Sequence, residues 1–194
     1  MFRLILKQQL KSLSERAIKK HKMEMIVVTG WYDTSIVKDL TYTLLHSKYN
    51  VRKMIGSPWW DFTVPLTILG YEDKKRSVLG WIILLIRSSF RLLFGGSNPQ
   101  SIILNLNYTK DDTAKFWSSF VTPDILIVTH FNKDLKILEN LLKNTKKDSG
   151  SIIVNSKDIS EVKKIIGDYE KIFVFGDKDE KKSDLFFRIA EQHR

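Results

Sequence analysis

Residues Val27–Leu40 read VVTGWYDTSIVKDL. An apolar, β-branched run closes on a glycine, and a short polar loop leads into a helical pattern. This predicts a strand over Met25–Thr29, a turn, and a helix over Thr34–Ser47. Strand, glycine loop and helix N-terminus in that order are the layout of a phosphate-binding loop. There, glycines let backbone N–H groups face the anion, a lysine follows the charge to the outer phosphates, and a Ser or Thr hydroxyl binds Mg²⁺. Thr29, Gly30 and Ser35 stand where such a loop needs them, with Trp31, Tyr32, Asp33 and Thr34 between. The inner glycine position then carries the carboxylate of Asp33, and the lysine position carries the hydroxyl of Thr34. Losing one favourable charge and adding an opposing one costs, at about 4 Å, roughly 1 kcal/mol each in water and about 4 each at an effective dielectric of 20. Lys38 is the nearest substitute cation, but it lies one helical turn beyond Thr34 and is expected to point away from a phosphate. Taken alone, the stretch reads better as an ordinary strand-to-helix turn with Asp33 or Thr34 capping the helix.

Outward from this loop the chain alternates strands and helices. Strands are predicted at YNVRKM (49–54), SIILNL (101–106), DILIVT (124–129), SIIVN (151–155) and KIFVFG (171–176). Helical patterns fall at Asp112–Phe120, Lys133–Lys146, Ser160–Gly167 and Ser183–Gln192. Apolar strands separated by helices imply an α/β fold, a mainly parallel sheet flanked by helices on both faces, whose ligands sit beyond the strands' carboxyl ends.

The 194 residues suffice for one core, and an apolar content of 43% supplies the area to bury. The absence of cysteine excludes thiolate metal sites and thiol nucleophiles. A formal charge of +10 favours polyanionic partners without choosing among nucleotide, nucleic acid and anionic lipid. No aromatic-stacking motif accompanies the cations, so nucleic acid is not the favoured partner. Residues 1–22 form a basic amphipathic helix, with Phe2, Leu6, Leu10, Leu13 and Ala17 on one stripe, ahead of a domain spanning 23–194. The apolar stretch 77–96 holds Arg87 and Arg91 where a bilayer centre or inner half would lie. A docked or surface-lying amphipathic helix therefore fits it better than a membrane span. Peripheral membrane contact through 1–22 and 77–96 is the expectation that follows, in a cytoplasmic protein lying at the inner membrane face.

With the following segment included, the loop resembles the central ATP-binding domain of the Mur ligases, bacterial enzymes of peptidoglycan-precursor synthesis. Likeness is greatest to the members that add D-alanyl-D-alanine. That family shows T-G-x-x-G-K-[ST] and then N-N-E-x-G-V-P-L-T; here VTGWYDTSIVKDL precedes SPWWDFTVPLTILG, with VPLTILG (64–70) intact. The resemblance places Gly30, Ser35, Lys38 and Asp39 on matching positions, and Asn105 where a Glu would help hold Mg²⁺. It also places Asn155 on an adenine-contacting Asn, Asp158 on the last acid of that segment, and His130 at the end of a strand that precedes further metal ligands. It implies a P-loop NTPase-like fold over about Met25–Gly176, with ATP and Mg²⁺ as the family's cofactors. A neutral Asn at 105 and the altered loop imply that both are lost here, so that no catalytic or metal-binding residue remains. Trp59, Trp60 and Asp61 stand where the family has residues near its substrate, and form either a new contact surface or the filling of an emptied pocket. The family's third domain, which binds the incoming amino acid, has no counterpart in this sequence.

Three functions follow from this reading. One is a pseudoenzyme that binds or scaffolds an active Mur ligase or cell-wall protein. Another is an ATP-dependent acid–amino-acid ligase completed by a partner domain. The last is a basic binder of anionic lipid or nucleic acid.

Overall fold

The computed structural model describes residues 2–56, 62–72, 74–95, 98–107, 111–134, 136–147, 149–167, 169–177 and 185–187. The seven strands among these described residues are β1 (Glu24–Thr29), β2 (Val51–Lys53), β3 (Ser101–Asn105), β4 (Ile125–Val128), β5 (Ser151–Asn155), β6 (Ile172–Asp177) and β7 (Leu185–Phe187). They form one sheet in the order β2-β3-β1-β4-β5-β6-β7, and every pairing is parallel. Among the described residues, seven helices accompany them: α1 (Phe2–His21), α2 (Thr34–His46), α3 (Thr63–Leu69), α4 (Val78–Phe94), α5 (Asp111–Ser118), α6 (Lys136–Asn144) and α7 (Ile159–Ile166). The central strand β1 reads as a continuous apolar run because both its faces are buried, as interior parallel strands require.

Chirality decides which face each helix covers. Parallel crossovers are right-handed. The β1–β2 connection runs toward one edge of the sheet and carries α2 to one face. The later connections run the other way and lay their helices on the opposite face. The packing agrees: Ile26, Val28, Val51 and Ile103 form a cluster with Val37, Tyr42 and Leu45 of α2, together with the half-buried Ile125 and Ile127. The main core lies on the other side, where Val27, Leu104, Leu126, Val128, Ile152 and Val154 pack with residues of the remaining helices. Helix α1 belongs to that core, through Leu6, Leu10, Leu13 and Ala17. On its flank, the Lys7 and Lys11 ammonium groups lie 4.2 and 5.6 Å from the Phe116 ring centroid.

The sequence reading is corrected in several places. Leu185–Phe187, expected within a helix over Ser183–Gln192, forms β7, paired with Phe175–Asp177. A short apolar run serves either period, and the free edge of β6 supplies backbone partners that decide it. Helix α6 begins at Lys136 rather than Lys133, because the Asn132 carboxamide accepts from the Asp134 N–H at 2.8 Å and holds a turn there. The second strand shrinks to Val51–Lys53. No element was expected at TVPLTIL, yet it forms α3 with all seven side chains buried, so it shows no amphipathic period to read. Trp59, Trp60 and Asp61 lie outside the described residues.

Helix α3 ends at Gly70, whose φ of 79° is left-handed. Its last carbonyls are taken by arginines: Arg52 Nη1 donates to Thr67 O and Ile68 O at 3.1 and 3.0 Å, and Arg91 Nη1 to Leu69 O at 3.3 Å. Burial, and secondarily the Arg91 charge, pull the Arg52 guanidinium below its ordinary value. Arg52→Met keeps the aliphatic stem and removes the Nη1 donor, leaving Ile68 O at a buried helix end without its donor, while Thr67 O keeps the Gly70 N–H. We expect a loss of about 2 kcal/mol, read as a lower urea midpoint at constant slope. An unchanged midpoint would show that the cap contributes nothing.

Among the described residues, no helix is long and apolar enough to cross a membrane.

Candidate functional site

The connection after β1 leaves toward β2 and the one after β4 leaves toward β5. The carboxyl ends of these neighbouring strands therefore open the crevice in which ligands of such sheets bind. The VTGWYDTS loop sits there, and its backbone is laced to the end of β4. Thr129 N–H donates to Thr29 O at 2.9 Å, extending the ladder, and Trp31 N–H donates to His130 O at 3.2 Å. Thr129 Oγ1 donates to Tyr32 O at 2.8 Å. The Tyr32 and His130 rings stack with centroids 4.7 Å apart. Gly30 makes this approach feasible: its φ is 142°, and a Cβ there would lie 2.1 Å from Thr129 Oγ1 and 2.8 Å from His130 N.

Asp33 occupies the position before α2 in a left-handed conformation, φ 60° and ψ 4°, and its side chain makes no capping bond. Neither of the expected caps is formed; the first turn closes through Val37 N–H to Asp33 O at 3.0 Å. The backbone here holds a shape that glycine adopts freely, whereas the side chain brings an anion to the positive end of the helix. Thr34 is buried and Ser35 exposed in the first turn. Asn105 Nδ2 donates to Ser35 Oγ at 3.1 Å. Asn105 Oδ1 and Thr29 Oγ1 are buried with no hydrogen-bond partner among the described residues, and ordered water would satisfy them.

Lys38 is not brought to the loop. Its Nζ donates to Met54 O at 3.1 Å, past the end of β2, and lies 3.6 Å from Asp39. The Lys53 ammonium, 2.7 Å from Asp39 and hydrogen-bonded to it, holds that carboxyl below the usual carboxylate range. The charged side chains of α2 thus face β2, turned from the crevice. On the other flank, Asp158 accepts from Phe131 N–H at 2.9 Å and lies 3.4 Å from His130 Nδ1. Asp158 therefore joins the loop through His130. Asn155 is folded into its own turn, its Oδ1 accepting from Lys157 N–H at 3.0 Å.

The residues present do not fit a magnesium nucleotide. Where a hydroxyl and a carboxylate would share Mg²⁺, a neutral amide is hydrogen-bonded to the hydroxyl, and hard cations favour charged oxygen ligands. Where an ammonium would follow the phosphates there is the Thr34 side chain, and one loop N–H is already spent on His130 O. The residue order did not reveal the clamp formed by Thr129, His130 and Tyr32. Only the pairing of β1 with β4 brings these distant positions together.

No protein-family model and no curated protein sequence matches the chain. Solved structures do. MurF from Acinetobacter baumannii superposes with a TM-score of 0.61 at 15% identity over 88% of this chain. The UDP-N-acetylmuramoylalanyl-D-glutamyl-2,6-diaminopimelate–D-alanyl-D-alanyl ligase of the same organism gives 0.63 at 14% over 88%. MurF ligase from Thermotoga maritima in complex with ADP gives 0.57 at 16% over 89%. The chain spans about a third of those proteins, 35%, 35% and 37% of their lengths respectively. An all-parallel sheet, a strand–loop–helix at its switch point and these superpositions together give the chain the fold of the Mur ligase central domain.

Proposed function

We propose that the chain is a Mur-ligase-like module that keeps the scaffold of an ATP-dependent ligase without its ATP chemistry. It serves as a binding or scaffold element in peptidoglycan-precursor synthesis, with an active Mur ligase or another cell-wall protein as its partner. The observation that carries this reading is the closed loop. Its Trp31 amide is bonded to His130 O, and its left-handed position is filled by the Asp33 carboxylate. A loop that carries its own anion at the helix N-terminus repels a second one, and the cation that would reverse the sign is anchored on Met54 O. The amide at 105, where the resemblance puts a metal-binding Glu, points the same way.

Calorimetric titration of the full chain with ATP and with ADP, each with and without Mg²⁺, tests this directly. We expect no saturable binding below about 1 mM and no phosphate release. Affinity in the range of about ten micromolar, accompanied by turnover, would return the chain to the working ligases.

A further inference from the structure

Helix α4 is apolar on both sides. Its buried side, with Leu84 and Ser88 and the half-buried Trp81, Leu85 and Leu92, rests on the main core and on α1. At 100° per residue, the direction opposite Leu84 and Ser88 is shared by Leu79, Ile82, Ile83, Ile86, Phe90 and Leu93, so this stripe runs the length of the helix. These six side chains are 43–72% exposed, and Phe94 beside them, stacked on Phe90 at 5.7 Å, is 80% exposed. A surface helix normally turns polar residues outward, so a helix apolar all round has a second cover.

Charge identifies that cover. Segment 72–96 holds five cations and two carboxylates, Glu72 being ion-paired to Lys74, and segment 2–22 seven cations and one carboxylate; the rest of the chain, with 20 cations and 19 carboxylates, is nearly neutral. The protein's positive charge is therefore concentrated on the two helices that pack side by side. Lys75 and Arg76 stand exposed or half-buried at the start of α4, and exposed Arg87 flanks the stripe. At its far end, Lys20 Nζ reaches Leu92 O and Leu93 O. At the near end, the tip of α1 adds exposed Phe2, Leu4 and Ile5; Arg3 lies over Phe62, which in turn contacts Trp81. An apolar stripe fringed by cations matches a bilayer whose acyl chains lie beneath anionic headgroups. A second copy would bring one basic fringe against another.

We propose that the outward face of α4, with the tip of α1, docks on an anionic lipid surface, the helix lying in the interfacial plane. This holds whether or not the loop binds nucleotide. Sedimentation of the full chain with vesicles of phosphatidylcholine containing phosphatidylglycerol, against phosphatidylcholine alone, tests it. We expect partition at least about tenfold stronger on the anionic vesicles, weakened by salt. The double variant Ile86→Glu/Phe90→Glu changes exposed side chains, so it is expected to keep the thermal midpoint while losing at least about tenfold in partition. Lys75→Gln/Arg87→Gln is expected to reduce the preference for anionic vesicles without abolishing binding. Three results would overturn the proposal: wild-type protein that stays in the supernatant, the glutamate variant sedimenting like wild type, or a wild-type dimer, dissolved by that variant, that ignores vesicles.

Discussion

An Asp33→Gly/Thr34→Lys variant is expected to bind ATP at least about 30-fold more tightly than the unaltered chain, from two charge changes of roughly 1 kcal/mol each in the weakest, water-like limit. The backbone is already shaped for the first change. Asp33 holds a φ of 60°, which glycine adopts without a Cβ penalty, so Asp33→Gly alone is expected to shift stability by less than about 1 kcal/mol. The second change places an ammonium at the first residue of α2, beside the helix N-terminus, where a polyphosphate would meet it. Thr34 is buried, so the lysine stem must extend along the loop, and a modest loss of stability is the anticipated side effect. Calorimetry on the folded double variant decides the matter. If affinity does not rise, the clamp rather than the charge closes the site, and the electrostatic account of the loop fails.

Gly30→Ala is expected to destabilise the protein by about 3 kcal/mol or more. Its Cβ would enter space held by Thr129 Oγ1 at 2.1 Å and by the backbone nitrogen of His130 at 2.8 Å. The hydroxyl can rotate away, surrendering its bond to Tyr32 O, but the backbone at His130, just past β4, cannot. A φ of 142° adds strain for any L side chain. Urea unfolding reads the cost. A small change would mean that the loop lifts readily from β4, and such a loop would not be closed.

Residue order exposed most of the sheet. The Val- and Ile-rich runs at 25–29, 101–105 and 151–155 have no other stable use, and their alternation with helical patterns left few topologies. Two elements escaped for physical reasons. α3 is buried on every side, so its sequence carries no period, and the three apolar residues of β7 suit strand and helix alike. At the site, the composition of the loop was readable because its neighbours are adjacent in sequence. That Lys38 stands one turn too far along α2 was readable, but its anchoring on Met54 O was not. The contacts of Thr129 and His130 were not readable, since they join residues about a hundred positions apart and depend on the register of β1 against β4. The stripe on α4 could be seen as apolar, but which side would be left uncovered depended on where α1 docks.

The handedness of the crossovers has a consequence for how the whole molecule moves. Whatever lies between β2 and β3 must settle on the face opposite α2, and α4 therefore lands beside α1. The net positive charge of these two helices therefore lies to one side of the sheet. A negatively charged wall would pull on that side first and turn the molecule toward it.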